Sequence, residues 1–185
     1  MRRIAAVLVM AVVGGLLAVP SAMADDFTCR GTVGSTTLDN VLVPQGATCV
    51  LQGTTVEGNI VVKSNATLRA RNADVDGNVQ GENAAAVNVV RGSEVGGSVQ
   101  VVQGAKARVA NSRVNGDIQY DENDRALKVI RNRVGGNVQV VQNTGGAEIR
   151  GNRIGGNLQC KQNTPAPTGG NNTVDGSKEG QCASL

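Results

Sequence analysis

The sequence predicts an all-β protein wound as a parallel β-solenoid of 19- to 20-residue coils, and three observations carry that expectation. The first is a period. Val56, Val75, Val95, Val114, Val134, Ile154 and Val174 each open a unit in which Gly stands two residues later and Asn, Ser or Asp follows the Gly, at steps of 19, 20, 19, 20, 20 and 20 residues. So regular a step marks a stacked repeat whose units bury their apolar faces only against their neighbours. The second is alternation of apolar and polar residues within each unit. The third is composition: with 25 Gly, one Phe, one Tyr and neither Trp nor His, the core has to be built from Val, Ile, Leu and Ala, which suit narrow, layered strands.

The chain opens with Arg2-Arg3, an apolar run from Ile4 to Val19 and a small-x-small site at Ala22-Met23-Ala24. Residues 1–24 therefore read as a secretory signal peptide cleaved after Ala24, and an uncleaved anchor is disfavoured because the run is short for a membrane span. The expectation is a secreted, extracellular protein with no span after cleavage. Its single solenoid domain, residues 25–185, divides into an N-terminal cap at 25–36, repeat coils at 37–160 and a C-terminal cap at 161–185. The mature chain has 16 basic and 15 acidic side chains, too even a balance to imply nucleic acid.

Within a unit, Asn137-Val138-Gln139-Val140 alternates, as do Ser98-Val99-Gln100-Val101, Asp117-Ile118-Gln119-Tyr120 and Asn157-Leu158-Gln159-Cys160. About eight residues on, a second alternating stretch recurs at Leu68-Arg69-Ala70, Val87-Asn88-Val89, Ala107-Arg108-Val109, Leu127-Lys128-Val129 and Ala147-Glu148-Ile149. Each unit thus holds two short strands and a third extended corner near its opening Val, with no helical segment. The repeated Gly58, Gly77, Gly97, Gly116, Gly136, Gly156 and Gly176 need either positive φ or the absence of a Cβ against the next coil. A second turn column is expected at Asn65, Asn123, Asn143 and Asn163, with Gly104 in the same register. Right-handed winding is expected, since parallel crossovers prefer it and the period is not a multiple of six. A leucine-rich-repeat horseshoe fits Val138-x-Val140-x-x-Asn143, but the second half of each unit offers no helical return.

Cys29 and Cys49 are 20 residues apart and Cys160 and Cys182 are 22 apart, each near one coil. That places each pair about one strand spacing apart, within disulfide reach, and predicts one bridge capping each end. A zinc site is disfavoured, as there is no His and no close Cys pair. Pro165 and Pro167 are expected to occupy the last coil's second strand and to discourage edge pairing.

Polysaccharide lyase or hydrolase chemistry, which β-helices can host, would draw on Asp74, Asp76, Asp117 or the Asp121-Glu122-Asp124 group. With no His base and almost no aromatic surface, no catalytic residue, metal or cofactor is expected. Arg113, Arg133 and Arg153 recur at steps of 20 beside Arg131 and Arg150 and should form one exposed basic strip, with Asp74 and Glu94 earlier in the same column. The halves differ in sign: residues 25–100 carry 5 basic and 8 acidic side chains, net −3, and residues 101–185 carry 11 and 7, net +4. The outward column Gln80, Gln100, Gln119, Gln139 and Gln159 reads as a stabilising ladder, not the Thr array an ice-binding surface needs.

The C-terminal GNLQCKQNTPAPTGGNNTVDGSKEGQC, residues 156–182, is similar to secreted actinobacterial-type β-helix proteins of undetermined role. The Gly-x-Val repeats distantly resemble those of bactofilins, which implies a β-helical fold and polymer formation, though this chain differs in its signal peptide and cysteines. The expected function is that of a secreted, non-catalytic structural or surface-interaction protein binding an envelope polyanion or itself. The alternative is a carbohydrate-active enzyme.

Overall fold

The computed structural model describes residues 26–185, so the expected signal peptide and its cleavage site lie outside the described residues. Each coil lays one strand on each of three parallel sheets. The first face has nine strands, from Asp26–Thr28 to Lys178–Gly180, and the second has eight, from Thr32–Val33 to Thr168–Gly170. The third face, expected only as an extended corner, is a sheet of eight two-residue strands from Thr37–Leu38 to Thr173–Val174. No helix occurs among the described residues.

Alternation decides which side chains face in. On the first face Val99, Ile118, Val138 and Leu158 are register partners in successive coils and all are buried, while Gln100, Gln119, Gln139 and Gln159 point out between them. Burying each such Val, Ile or Leu is worth about 2 kcal/mol, and an isolated coil cannot realise it. The stabilisation therefore resides in the stack.

Of the two reasons for the repeated glycine, close approach is the one that applies. Gly136 does not have a positive φ; a Cβ there would overlap Asp117 Oδ1 and stand 3.0 Å from the carbonyl carbon and oxygen of Gly116. Left-handed backbone occurs elsewhere, at the corner before each second-face strand, where Asn83, Gln103, Glu122, Gln142 and Gln162 have φ between 53° and 56°. A non-glycine residue there costs about 1 kcal/mol, and the cost is borne because the next residue turns inward.

That next residue is the second column. Asn123, Asn143 and Asn163 are buried. Asn143 Oδ1 accepts from the Asn123 main-chain N–H at 2.8 Å and its side-chain amide at 3.0 Å, and Asn143 Nδ2 donates to Tyr120 O at 3.0 Å. Gln181 closes the ladder by accepting from Asn163 N at 2.8 Å. Gly104 fits this register, donating its N–H to Asn123 Oδ1 at 2.9 Å. Asn65 does not: with φ 58° it occupies the left-handed position, and Ala66 and Ala84 take the inward site in their coils. A further ladder, unforeseen from the sequence, runs along the corner before the third face, where Ser112 N–H donates to Asn132 Oδ1, Asn132 N–H to Asn152 Oδ1 and Asn152 N–H to Asn172 Oδ1 at 2.9–3.1 Å.

Both expected disulfides form, with Cα separations of 5.4 Å for Cys29–Cys49 and 5.2 Å for Cys160–Cys182. Neither joins register partners. Phe27 pairs with Val41, a step of only 14 residues, so Cys29 reaches Cys49 across the end of the short first coil. Cys160 aligns with Gly180, and Cys182 returns to it from the turn beyond. The last coil also keeps its second strand, which begins at Thr168, just after Pro167.

Candidate functional site

The third face presents one exposed line of register partners: Thr37, Thr55, Asp74, Glu94, Arg113, Arg133, Arg153 and Thr173. Neighbours in it are about 4.8 Å apart along the axis, a spacing at which like charges in water repel by about 0.9 kcal/mol. The side chains relieve this unequally. Arg113 Nε donates to Asn115 Oδ1 at 2.9 Å, and Arg153 approaches Asp175 at 3.5 Å. Arg133 makes neither kind of contact among the described residues.

Of the other two arginines, Arg131 sits in a left-handed corner two residues before Arg133. Arg150 ends a second-face strand and donates to Glu148 at 2.5 Å, while Lys128 reaches the same carboxylate at 3.2 Å. Arg150 and Lys128 together hold the Glu148 carboxyl below its usual range. Arg113, Arg133 and Arg153 are thus brought into one column, Arg131 flanks it, and Arg150 is drawn into a local cluster on another face.

The carboxylates considered for catalysis fall on more than one face, with Asp121, Glu122 and Asp124 together at one corner. Asp74 lies on the third face and Asp121 ends a first-face strand two coils on. Asp117 belongs to the glycine corner, where its Oδ1 accepts from Asn137 N at 2.6 Å. Asp124 stands 3.9 Å from Arg125. Asp121 Oδ1 is buried without a hydrogen bond, and burial, then the charge of Glu122, push its carboxyl above the usual range. No group of three His, Cys, Asp or Glu side chains suited to a metal occurs among the described residues.

One cationic region was not singled out from the sequence. On the second face the strand Ala86–Val90 turns Ala86, Asn88 and Val90 outward between the longer side chains of Thr67–Arg71 and Lys106–Ala110. The result is an open trough of 650 Å³ lined by Arg69, Arg71, Arg91, Lys106 and Arg108, with no acidic residue in its lining. Half-chain totals concealed it, because three of the five cations fall in the half with net charge −3. The recoverable signal was Arg69, Asn88 and Arg108 at steps of 19 and 20.

A scan against protein-family models and searches of curated proteins and of solved structures find no match to this chain, which leaves its own surface as the guide to what it does.

Proposed function

We propose that this is an exported, non-catalytic scaffold that acts through its charged walls, holding an anionic polymer of the cell envelope or the acidic end of a second copy along the third-face column. The carrying observation is the column itself: Asp74 and Glu94 continue directly into Arg113, Arg133 and Arg153. Arginine forks suit planar, bidentate contact with carboxylate or phosphate, and Arg133 has no such partner among the described residues. The lack of a His base and the scarcity of aromatic side chains favour this reading over glycan cleavage. The disulfides fit an oxidising compartment.

The test is retention on isolated envelope material, together with sedimentation, for wild type and an Arg113/Arg133/Arg153→Gln variant across ionic strength. Salt-sensitive retention or self-association that the variant loses supports the proposal. Identical behaviour of the two proteins at low salt reduces the column to a solvated wall.

A further inference from the structure

We propose that the second-face trough binds a linear phosphate polymer, gripping successive phosphate groups with Arg69, Arg71, Arg91, Lys106 and Arg108. This rests on the reading of the protein as a binding scaffold but uses a different face and different residues.

Charge is the first argument. Five cations surround one concavity, and none of them has an ion pair or side-chain hydrogen bond among the described residues. Elsewhere on the same face Lys128 and Arg150 are both satisfied by Glu148, so unpaired cations are not simply the rule on this wall. Without a ligand the field at the trough is balanced only by mobile counterions, and a polyanion that displaced them would gain the entropy of their release.

Shape and spacing are the second. Arg69 and Arg108 occupy one register column two coils apart, about 9.6 Å along the axis, and Arg69 and Arg71 are about 6.6 Å apart along one strand. The short row of Ala86, Asn88 and Val90 between them leaves room for an extended chain to lie low enough for both rims to touch it. A small isolated anion would satisfy one rim only.

The third argument selects phosphate. The chain's aromatic side chains are Phe27, on the first coil, and Tyr120, buried in the core, so the trough has no platform on which a sugar ring or a base could stack. Of its two neutral amides, Asn88 already donates to Leu68 O at 3.3 Å, and Asn111 stands at the corner beyond the strand. The five guanidinium and ammonium groups outnumber them, and these recognise charge and multiple acceptor oxygens. A phosphate chain supplies both at every unit.

Binding of short linear inorganic polyphosphate is measured by titration for wild type, an Arg69/Arg108→Gln variant and the Arg113/Arg133/Arg153→Gln variant, each first shown by thermal unfolding to be folded. Wild type should bind with a log–log salt slope of about −3 to −4, as about five contacts at −0.7 each imply. The Arg69/Arg108→Gln variant should lose about tenfold or more at low salt and show a slope shallower by about 1.4. The third-face variant, whose arginines belong to the other proposed binding column, should weaken clearly less than the Arg69/Arg108→Gln variant. No binding by wild type, equal weakening of both variants, or equally tight binding of a polygalacturonate probe overturns the proposal. Loss confined to the third-face variant also overturns it while supporting the third-face column, so the two readings fail separately.

Discussion

The early and late coils turn the same corners with different chemistry. In the early coils the inward corner positions hold Thr54, Ala66, Ala73, Ala84 and Ser93, and Ala66 N–H closes locally onto Lys63 O at 3.0 Å. In the late coils they hold Asn123, Asn143 and Asn163 at one corner and Asn132, Asn152 and Asn172 at the other, and their side chains bond into neighbouring coils. The early corners thus carry isolated side-chain bonds between coils, from Thr54 to Gly34 O and from Ala73 N–H to Ser93 Oγ, whereas the late corners carry continuous asparagine ladders. Stability should therefore be graded along the axis, with the late coils the more tightly coupled to one another.

The largest test asks what the two regions share. Gly77→Val and Gly136→Val should each destabilise by about 4 kcal/mol or more, because a Cβ at either meets the preceding coil. Gln139→Val, which removes one part-buried amide bond to Gln159, should cost about 0.5 kcal/mol. Chemical unfolding of the three variants measures this, and a mild Gly77→Val would show that the early corner is built differently.

Removing either bridge should cost about 3 kcal/mol for a loop of about 20 residues. Hydrogen exchange should show a difference in extent: loss of Cys29–Cys49 should expose several early coils, whereas loss of Cys160–Cys182 should be contained by the asparagine ladders. Equal spread from both ends would remove the proposed gradient.

Asn143→Ala and Asn152→Ala each strand buried donors and acceptors in adjoining coils and should cost about 2–3 kcal/mol. Ser93→Ala, at the equivalent early corner, loses bonds to Ala73 N and Val90 O and should cost about 1 kcal/mol. Melting temperatures that fall equally for all three would contradict the distinction.

The smallest effect is one of pH. Burial raises the Asp121 carboxyl above its ordinary 3.8, so its charge weakens the fold at neutral pH, and the penalty fades as pH falls through the folded pKa. Glu148, whose carboxyl is lowered, acts in the opposite sense: its stabilisation is present above its ordinary 4.5 and is lost as pH falls through its folded pKa. Asp121→Asn should therefore melt slightly above wild type at pH 7 and converge with it in acid. Melting curves across that range decide the point.

Period and alternation carried the coil length, the faces and the buried columns, because a period-two pattern repeated at a fixed step admits few other packings. The Asn132, Asn152 and Asn172 ladder was hidden because Arg131-Asn132-Arg133 reads as a solvated turn, and only the left-handed Arg131 swings Asn132 inward. The bridges were paired correctly from spacing, yet a short first coil and a terminal turn, not register, bring the sulfurs together. The arginine column was visible because its steps are all 20, whereas the trough mixes steps of 19 and 20 with charges from both halves.

Repetition also makes the stack indifferent to its own count. Successive coils across residues 118–163 present the same Gln and Asn columns beside interchangeable apolar ones. If the segment 138–157 bulged out, Leu158 could settle on Ile118 with its Gln and Asn partners still matched, and the bridges, each confined to one end, would not register the loss. Loop closure for 20 residues costs only a few kcal/mol, so such a slipped fold is a near competitor during folding. On an evolutionary timescale the same degeneracy is an opportunity: an in-frame deletion or duplication of one coil changes the length of the molecule and of its charged columns while leaving both ends intact.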